Sequence, residues 1–115
     1  MATTNIVLPI TMTNIASGSI SGTYAAINST GLPFPCWEII ITNTSNKDVT
    51  VSLDGTTDHF FVTSGTILTL ITQTNSRPNN FVADFAQGTR VWVKGAAGAG
   101  TGNVYLSGLY QPTQT

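Results

Sequence analysis

Residues 88–95 read GTRVWVKG and residues 102–111 read GNVYLSGLYQ. Both stretches alternate bulky and other side chains at a period of two, the spacing of a strand with two distinct faces. The glycine-rich run GAAGAGTG (residues 95–102) joins them. This pattern predicts a β-hairpin with aromatic residues on both faces. Val91, Val93, Val104 and Leu106 share one parity and are expected to face the core, which leaves Trp92 and Tyr105 on the other side. Exposed Trp and Tyr are common interface anchors.

The same alternation recurs upstream. Val49, Val51 and Leu53 face one way and Thr50 and Ser52 the other, followed by Asp54-Gly55, a dipeptide suited to tight hairpin turns. The chain then returns through HFFV. Ile39-Ile40-Ile41 is apolar on both faces and predicts a central strand covered twice, with NTSNKD (residues 43–48) as the turn that follows. Strands are expected near residues 4–8, 19–26, 38–44, 49–53, 59–62, 67–71, 90–94 and 104–110, with a short turn or helical piece at 81–86. No window shows a helical apolar period.

Short strands with turn signals between them predict an all-β fold, an antiparallel β-sandwich of about eight short strands, with the jelly roll as one form. The expected core is Ile39, Ile41, Val51, Leu53, Phe61, Leu68, Leu70, Val91, Val93, Val104 and Leu106. Residues 36–111 form the sandwich in this reading. Residues 1–35, small, polar and Gly/Ser-rich around Ile20, Tyr24 and Ile27, form an arm or edge strand, and residues 112–115 a flexible tail.

At 115 residues the chain is one domain. Only 8% of residues are charged, for a net charge of −1, and threonine outnumbers all charged residues together. Branched Thr fits a pleated surface. Lys47, Arg77, Arg90 and Lys94 are scattered and balanced by acids, which argues against nucleic acid, since phosphate binding needs clustered cations. Low charge also means little repulsion between copies. A single cysteine, Cys36, excludes an intramolecular disulfide. No run reaches the ~20 apolar residues of a membrane helix, and the first residues lack a basic signal-peptide start. Synthesis in the cytoplasm without a membrane partner is the expectation.

Little catalytic chemistry is legible. Asp58 and His59 are adjacent, and neighbours on a strand point to opposite faces, so they make a poor acid–base pair. Cys36 acts as a nucleophile only where its pKa is lowered. Asp48, Asp54 and Asp58 flank one hairpin but lack the dense oxygen pattern of a calcium loop. The glycine run has neither a following helix nor the Lys-Ser/Thr of a phosphate loop. Asn28-Ser29-Thr30 and Asn43-Thr44-Ser45 match a glycosylation pattern that arises readily in so Ser- and Thr-rich a chain. No cofactor, metal or catalytic residue is assigned.

The run from Asn43 to Tyr110, carried by SLDGTTDHFFVTSGTILTL (52–70) and GTRVWVKGAAGAGTGNVYLSGLYQ (88–111), resembles small virion proteins of tailed bacteriophages. These commonly show an Asp-Gly turn, a hydrophobic strand, a Gly-Thr step and a terminal pair like VYVKG…GTVYVSGYY. The resemblance implies a non-enzymatic structural protein located on the virion. Its partners would be the major capsid protein or other virion proteins, and it would act as a homo-oligomer that decorates or cements the capsid. A head–tail, neck or tail-fibre accessory protein and a lectin-like receptor-binding module are the alternatives. The residues expected to make contact are Tyr24, Trp92, Lys94, Tyr105, Gly98 and Gly100.

Overall fold

The computed structural model describes residues 8–72, 85–98 and 100–110. The expected strand at 4–8 (except Leu8), the turn at 81–86 (except Phe85 and Ala86), Arg77 and the tail at 112–115 lie outside the described residues.

The strands are β1 (Leu8–Pro9), β2 (Thr13–Ala16), β3 (Ala25–Ala26), β4 (Cys36–Asn43), β5 (Val49–Ser52), β6 (Phe60–Val62), β7 (Ile67–Ile71), β8 (Trp92–Gly95) and β9 (Asn103–Tyr110). One sheet, here sheet A, runs β1-β9-β4-β7, with β2 also on β9; sheet B runs β3-β8-β5-β6. All pairings are antiparallel. The pairs are nested: β2 with β9, β3 with β8, β4 with β7, β5 with β6. The chain is thus one long antiparallel double ribbon rolled up, closed by the β4–β9 and β5–β8 ladders. This is a jelly-roll β-sandwich.

The expected hairpin between residues 88–95 and 102–111 does not form. β8 lies in sheet B against β5 and β3, and β9 lies in sheet A between β4 and the β1/β2 edge. Period-two alternation reports which face a side chain takes, not which strand is its neighbour. The intervening loop is long enough to cross the ~10 Å between packed sheets. For the same reason NTSNKD links β4 to β5 across the sheets. The hairpin formed by β5 and β6 is present, with Val49 opposite Val62 and Val51 opposite Phe60.

Between the sheets, Ile39, Ile41, Val49, Val51, Val91, Val93, Val104 and Leu106 have no exposed surface. β4 is central, as expected, but Ile40 is only partly covered. Leu53, Leu68 and Leu70 pack at the margin of this core. Phe61 does not belong to it: its side chain is 64% exposed, and Phe60 packs inward instead. The connection from β5 to β6 is longer than a two-residue turn, and its length shifts the parity of the returning strand by one. Residues 8–35 supply edge strands to both sheets, and Ile10, Ile15, Ile20, Ile27 and Leu32 enter the core. Of the strand expected at 19–26 only the last two residues pair as a strand, β3, after a 3-10 turn at Ser17–Ser19.

Candidate functional site

The six expected contact residues fall in three places. Tyr24, Trp92 and Lys94 lie on the outer face of sheet B. Val93 and Ala25 are paired and face inward, so Trp92, Lys94 and Tyr24 face outward. The loop leaving β5 folds back over this face. Gly55, at φ 82°, lies so close to Trp92 that an added Cβ would sit 3.1 Å from the indole, so the left-handed backbone and the contact both favour glycine. Asp54 holds the loop's shape: its Oδ1 accepts hydrogen bonds from the N–H groups of Thr56 (2.8 Å) and Thr57 (2.7 Å) and from the Ser52 hydroxyl (2.8 Å). These donors, Thr57 first, hold the carboxyl far below the ordinary carboxylate range.

Asp58 ends the loop and ties it down. The Tyr24 hydroxyl donates to Asp58, and the Lys94 ammonium lies 3.0 Å from the same carboxylate oxygen and 4.7 Å from the centre of the Tyr24 ring. Tyr24 first, then Lys94, lower the Asp58 pKa. Desolvation, the hydrogen bond to Asp58 and the charges of Asp58 and Asp54 push the Tyr24 phenol up to about 12. Tyr24, Lys94 and Trp92 are thus already engaged within their own chain.

Gly98 and Gly100 occupy the loop between β8 and β9, at the end of the sandwich where residues 16–20 and 43–48 also meet. There Lys47, counted from sequence among the scattered cations, is buried at 7% exposure. Its ammonium donates to the carbonyls of Gly98 (2.7 Å), Ser17 (2.8 Å) and Ile20 (3.3 Å). Three acceptors match the three protons of the ammonium, which compensates a desolvated charge. A Cβ on Gly100 would sit 2.0 Å from the Ser17 hydroxyl. Buried Asn43 completes the junction, donating to the carbonyls of Lys47 (2.8 Å) and Val62 (3.2 Å) and accepting from the Ser45 hydroxyl (2.6 Å). This end is a fixed polar junction built around one lysine.

Tyr105 lies on the opposite face of the molecule, the outer side of sheet A. It is flanked by Asn14 and Thr42 and its hydroxyl accepts from Asn103 at 3.4 Å. On the same face β7 presents Ile67 and Ile71, at 64% and 50% exposure. Sequence reasoning did not select them. The signal available was the alternation of Ile67-Leu68-Thr69-Leu70-Ile71, in which both parities are apolar, so one apolar set has to face out of a two-layer sandwich.

The residues weighed for chemistry are dispersed. Cys36 is buried, and its thiol lies 3.4 Å from the Phe34 carbonyl oxygen. His59 takes Asp54 rather than Asp58 as its neighbour: Nε2 lies 4.0 Å from Asp54 Oδ2 while Nδ1 accepts the Leu53 N–H. Asp48 accepts the Ser64 N–H. Among the described residues no three His, Cys, Asp or Glu side chains converge as metal ligands, and no helix is long and apolar enough to cross a membrane. Comparison of the chain with known protein families, with characterised proteins and with solved structures finds no match.

Proposed function

We propose that this protein is a non-enzymatic structural subunit of a bacteriophage virion, a decoration or cement protein that binds across shell subunits as a homo-oligomer. The observation that carries this reading is the exposed aliphatic surface of sheet A, Ile67 and Ile71 above all, on a firmly tied sandwich of low charge. Such a brick presents a preformed surface, and binding it orders little new chain. Each copy contributes apolar contact at ~25 cal/mol per Å² gross, before association costs. A subunit that binds only the assembled shell stabilises that shell by mass action, and repetition over a symmetric lattice multiplies weak contacts. Jelly rolls occur among both capsid and lectin domains, so the fold alone does not choose between them. Quantitative mass spectrometry of purified particles tests the reading. Stoichiometry comparable to the shell protein supports it, a copy number fit for a single ring moves the protein to the neck or tail, and absence from particles rejects it.

One observation favours a second reading, a glycan-binding module. A shallow depression of about 300 Å³ on sheet B is lined by Thr50, Asp58, His59, Phe60 and Phe61, a mix of aromatic and polar residues. Glycan-array binding by the isolated protein, lost in Asp58→Ala and Phe61→Ala, supports this reading. Silence on the array counts against it.

A further inference from the structure

We propose that the free edge of β7 is a self-pairing edge that joins two copies of this chain through one continuous antiparallel sheet. β7 is the outermost strand of sheet A, paired on one side with β4. The Thr72 N–H donates to the Trp37 carbonyl and the Asn43 N–H to the Thr66 carbonyl. These bonds fix the parity: the backbone groups of 66, 68, 70 and 72 point to β4, and those of Ile67, Thr69 and Ile71 point away. Among the described residues these outward N–H and C=O groups have no partner. Such an edge is a template for another strand. The usual protections are missing from it, since β7 holds no charged residue, no proline and no bulge.

The strand's own sequence names the occupant. Ile67–Ile71 reads ILTLI, the same in both directions. An antiparallel copy related by a two-fold axis at Thr69 therefore sets Ile67 opposite Ile71, Leu68 opposite Leu70 and Thr69 opposite itself. The outward-pointing residues are the ones that meet, giving three hydrogen-bonded residue pairs, each exchanging two N–H···O bonds. Faces match as well. The exposed isoleucines meet on the outer side, and the half-buried leucines, which already touch the core, meet on the inner side. Like pairs of β-branched residues and of threonines favour such pairing. Charge is compatible: Glu38, level with Ile71, faces Thr42 of the second copy through the intervening strands, so no like charges are opposed.

An edge ~17 Å long buries less than the ~1,200 Å² of a standard stable interface. The pair is therefore weak and concentration-dependent in solution. The proposal rests on the homo-oligomer of the virion reading and supplies one contact for it; it is tested on the isolated chain and the virion reading on purified particles, so the two fail separately.

Engineered cysteines test the register. Thr69→Cys places two thiols on residues ~5.5 Å apart at Cα, inside the range a disulfide spans. In Ile67→Cys the equivalent positions lie ~14 Å apart, beyond it. Buried Cys36 gives little background, and the wild type is the control. Under mild oxidation Thr69→Cys is expected to yield linked dimer at least tenfold faster than Ile67→Cys. Sedimentation of the wild type from low to about millimolar concentration is expected to show a rising dimer fraction. Thr69→Pro, tolerated at an edge where the N–H faces out, is expected to abolish that rise with the circular dichroism unchanged. Equal linking at both cysteines, or a wild type that stays monomeric to about 1 mM, overturns the proposal.

Discussion

The two outer faces of this sandwich are treated differently by the same chain. Sheet B is roofed by its own β5–β6 loop, with Gly55 over Trp92 and Asp58 fastened to Tyr24 and Lys94. Sheet A carries Ile67 and Ile71 bare, with Ile40 partly covered between strands. Trp92, which looks like a grip in the sequence, is covered by its own chain, whereas Ile67 and Ile71, which were not selected from the sequence, are open. Side-chain type alone does not mark a contact surface; what lies above the side chain does.

The roof is the part easiest to break. Trp92→Ala is expected to lower the unfolding free energy by about 2–3 kcal/mol, below the ~3–5 kcal/mol of a fully buried aromatic because the indole is only partly buried. Reading the sequence alone, the same substitution would leave the isolated fold nearly intact, so urea denaturation separates the two views directly. Gly55→Ala is expected to cost about 1–2 kcal/mol. A side chain at φ 82° is strained, and its Cβ also presses on the indole at 3.1 Å. A change below about 0.5 kcal/mol in both variants would mean the loop does not rest on Trp92.

How far the sequence carried the fold depends on range. Parity within a strand was legible: Ile39 and Ile41, Val91 and Val93, Val104 and Leu106 all face inward as alternation requires. Partners were not, because alternation is identical for a hairpin and for two strands in different sheets, and β8 and β9 are the second case. Phe60 and Phe61 exchanged roles because a loop's length sets the parity of the returning strand, and that length shows only once the loop's path is known. The core residues of the first 35 positions, Ile10, Ile15, Ile20, Ile27 and Leu32, are single anchors at uneven spacing, which no periodicity detects. Of the candidate contact residues, the grouping of Tyr24 with Lys94 depends on the β3–β8 register, a long-range pairing. Lys47 looked like any surface cation, since only the meeting of three loops supplies its carbonyls.

The roof is also sensitive to pH. Asp54 and Asp58 are both lowered in the folded protein. Their contribution is present above the unfolded carboxylate value of about 3.9 and fades as pH falls through the lower folded values. The melting temperature is therefore expected to hold from neutrality to about pH 5 and then decline below about pH 4. Asp54→Asn and Asp58→Asn should each flatten that decline. Tyr24 acts at the other extreme: its phenol is raised to about 12, so its share is complete below the unfolded value of about 10 and lost between there and 12. Tyr24→Phe should remove that alkaline loss. Unchanged pH profiles in all three variants would show the roof to be held by packing on Trp92 alone.

The smallest effect belongs to the open face. Ile67→Thr and Ile71→Thr keep a branched Cβ suited to a strand and remove apolar surface that is at least half in water already. Each is expected to change monomer stability by no more than about 0.5 kcal/mol. The informative control is Ile39→Thr on the neighbouring strand, opposite Leu70 and fully buried. It loses packed volume and buries a hydroxyl, so a loss of about 2 kcal/mol or more is expected. Chemical denaturation at a concentration low enough to keep the chain monomeric measures all three. If Ile71→Thr approached the cost of Ile39→Thr, the outer side of sheet A would be covered in the folded monomer, and the contrast between the two faces would fail where it is most exposed to test.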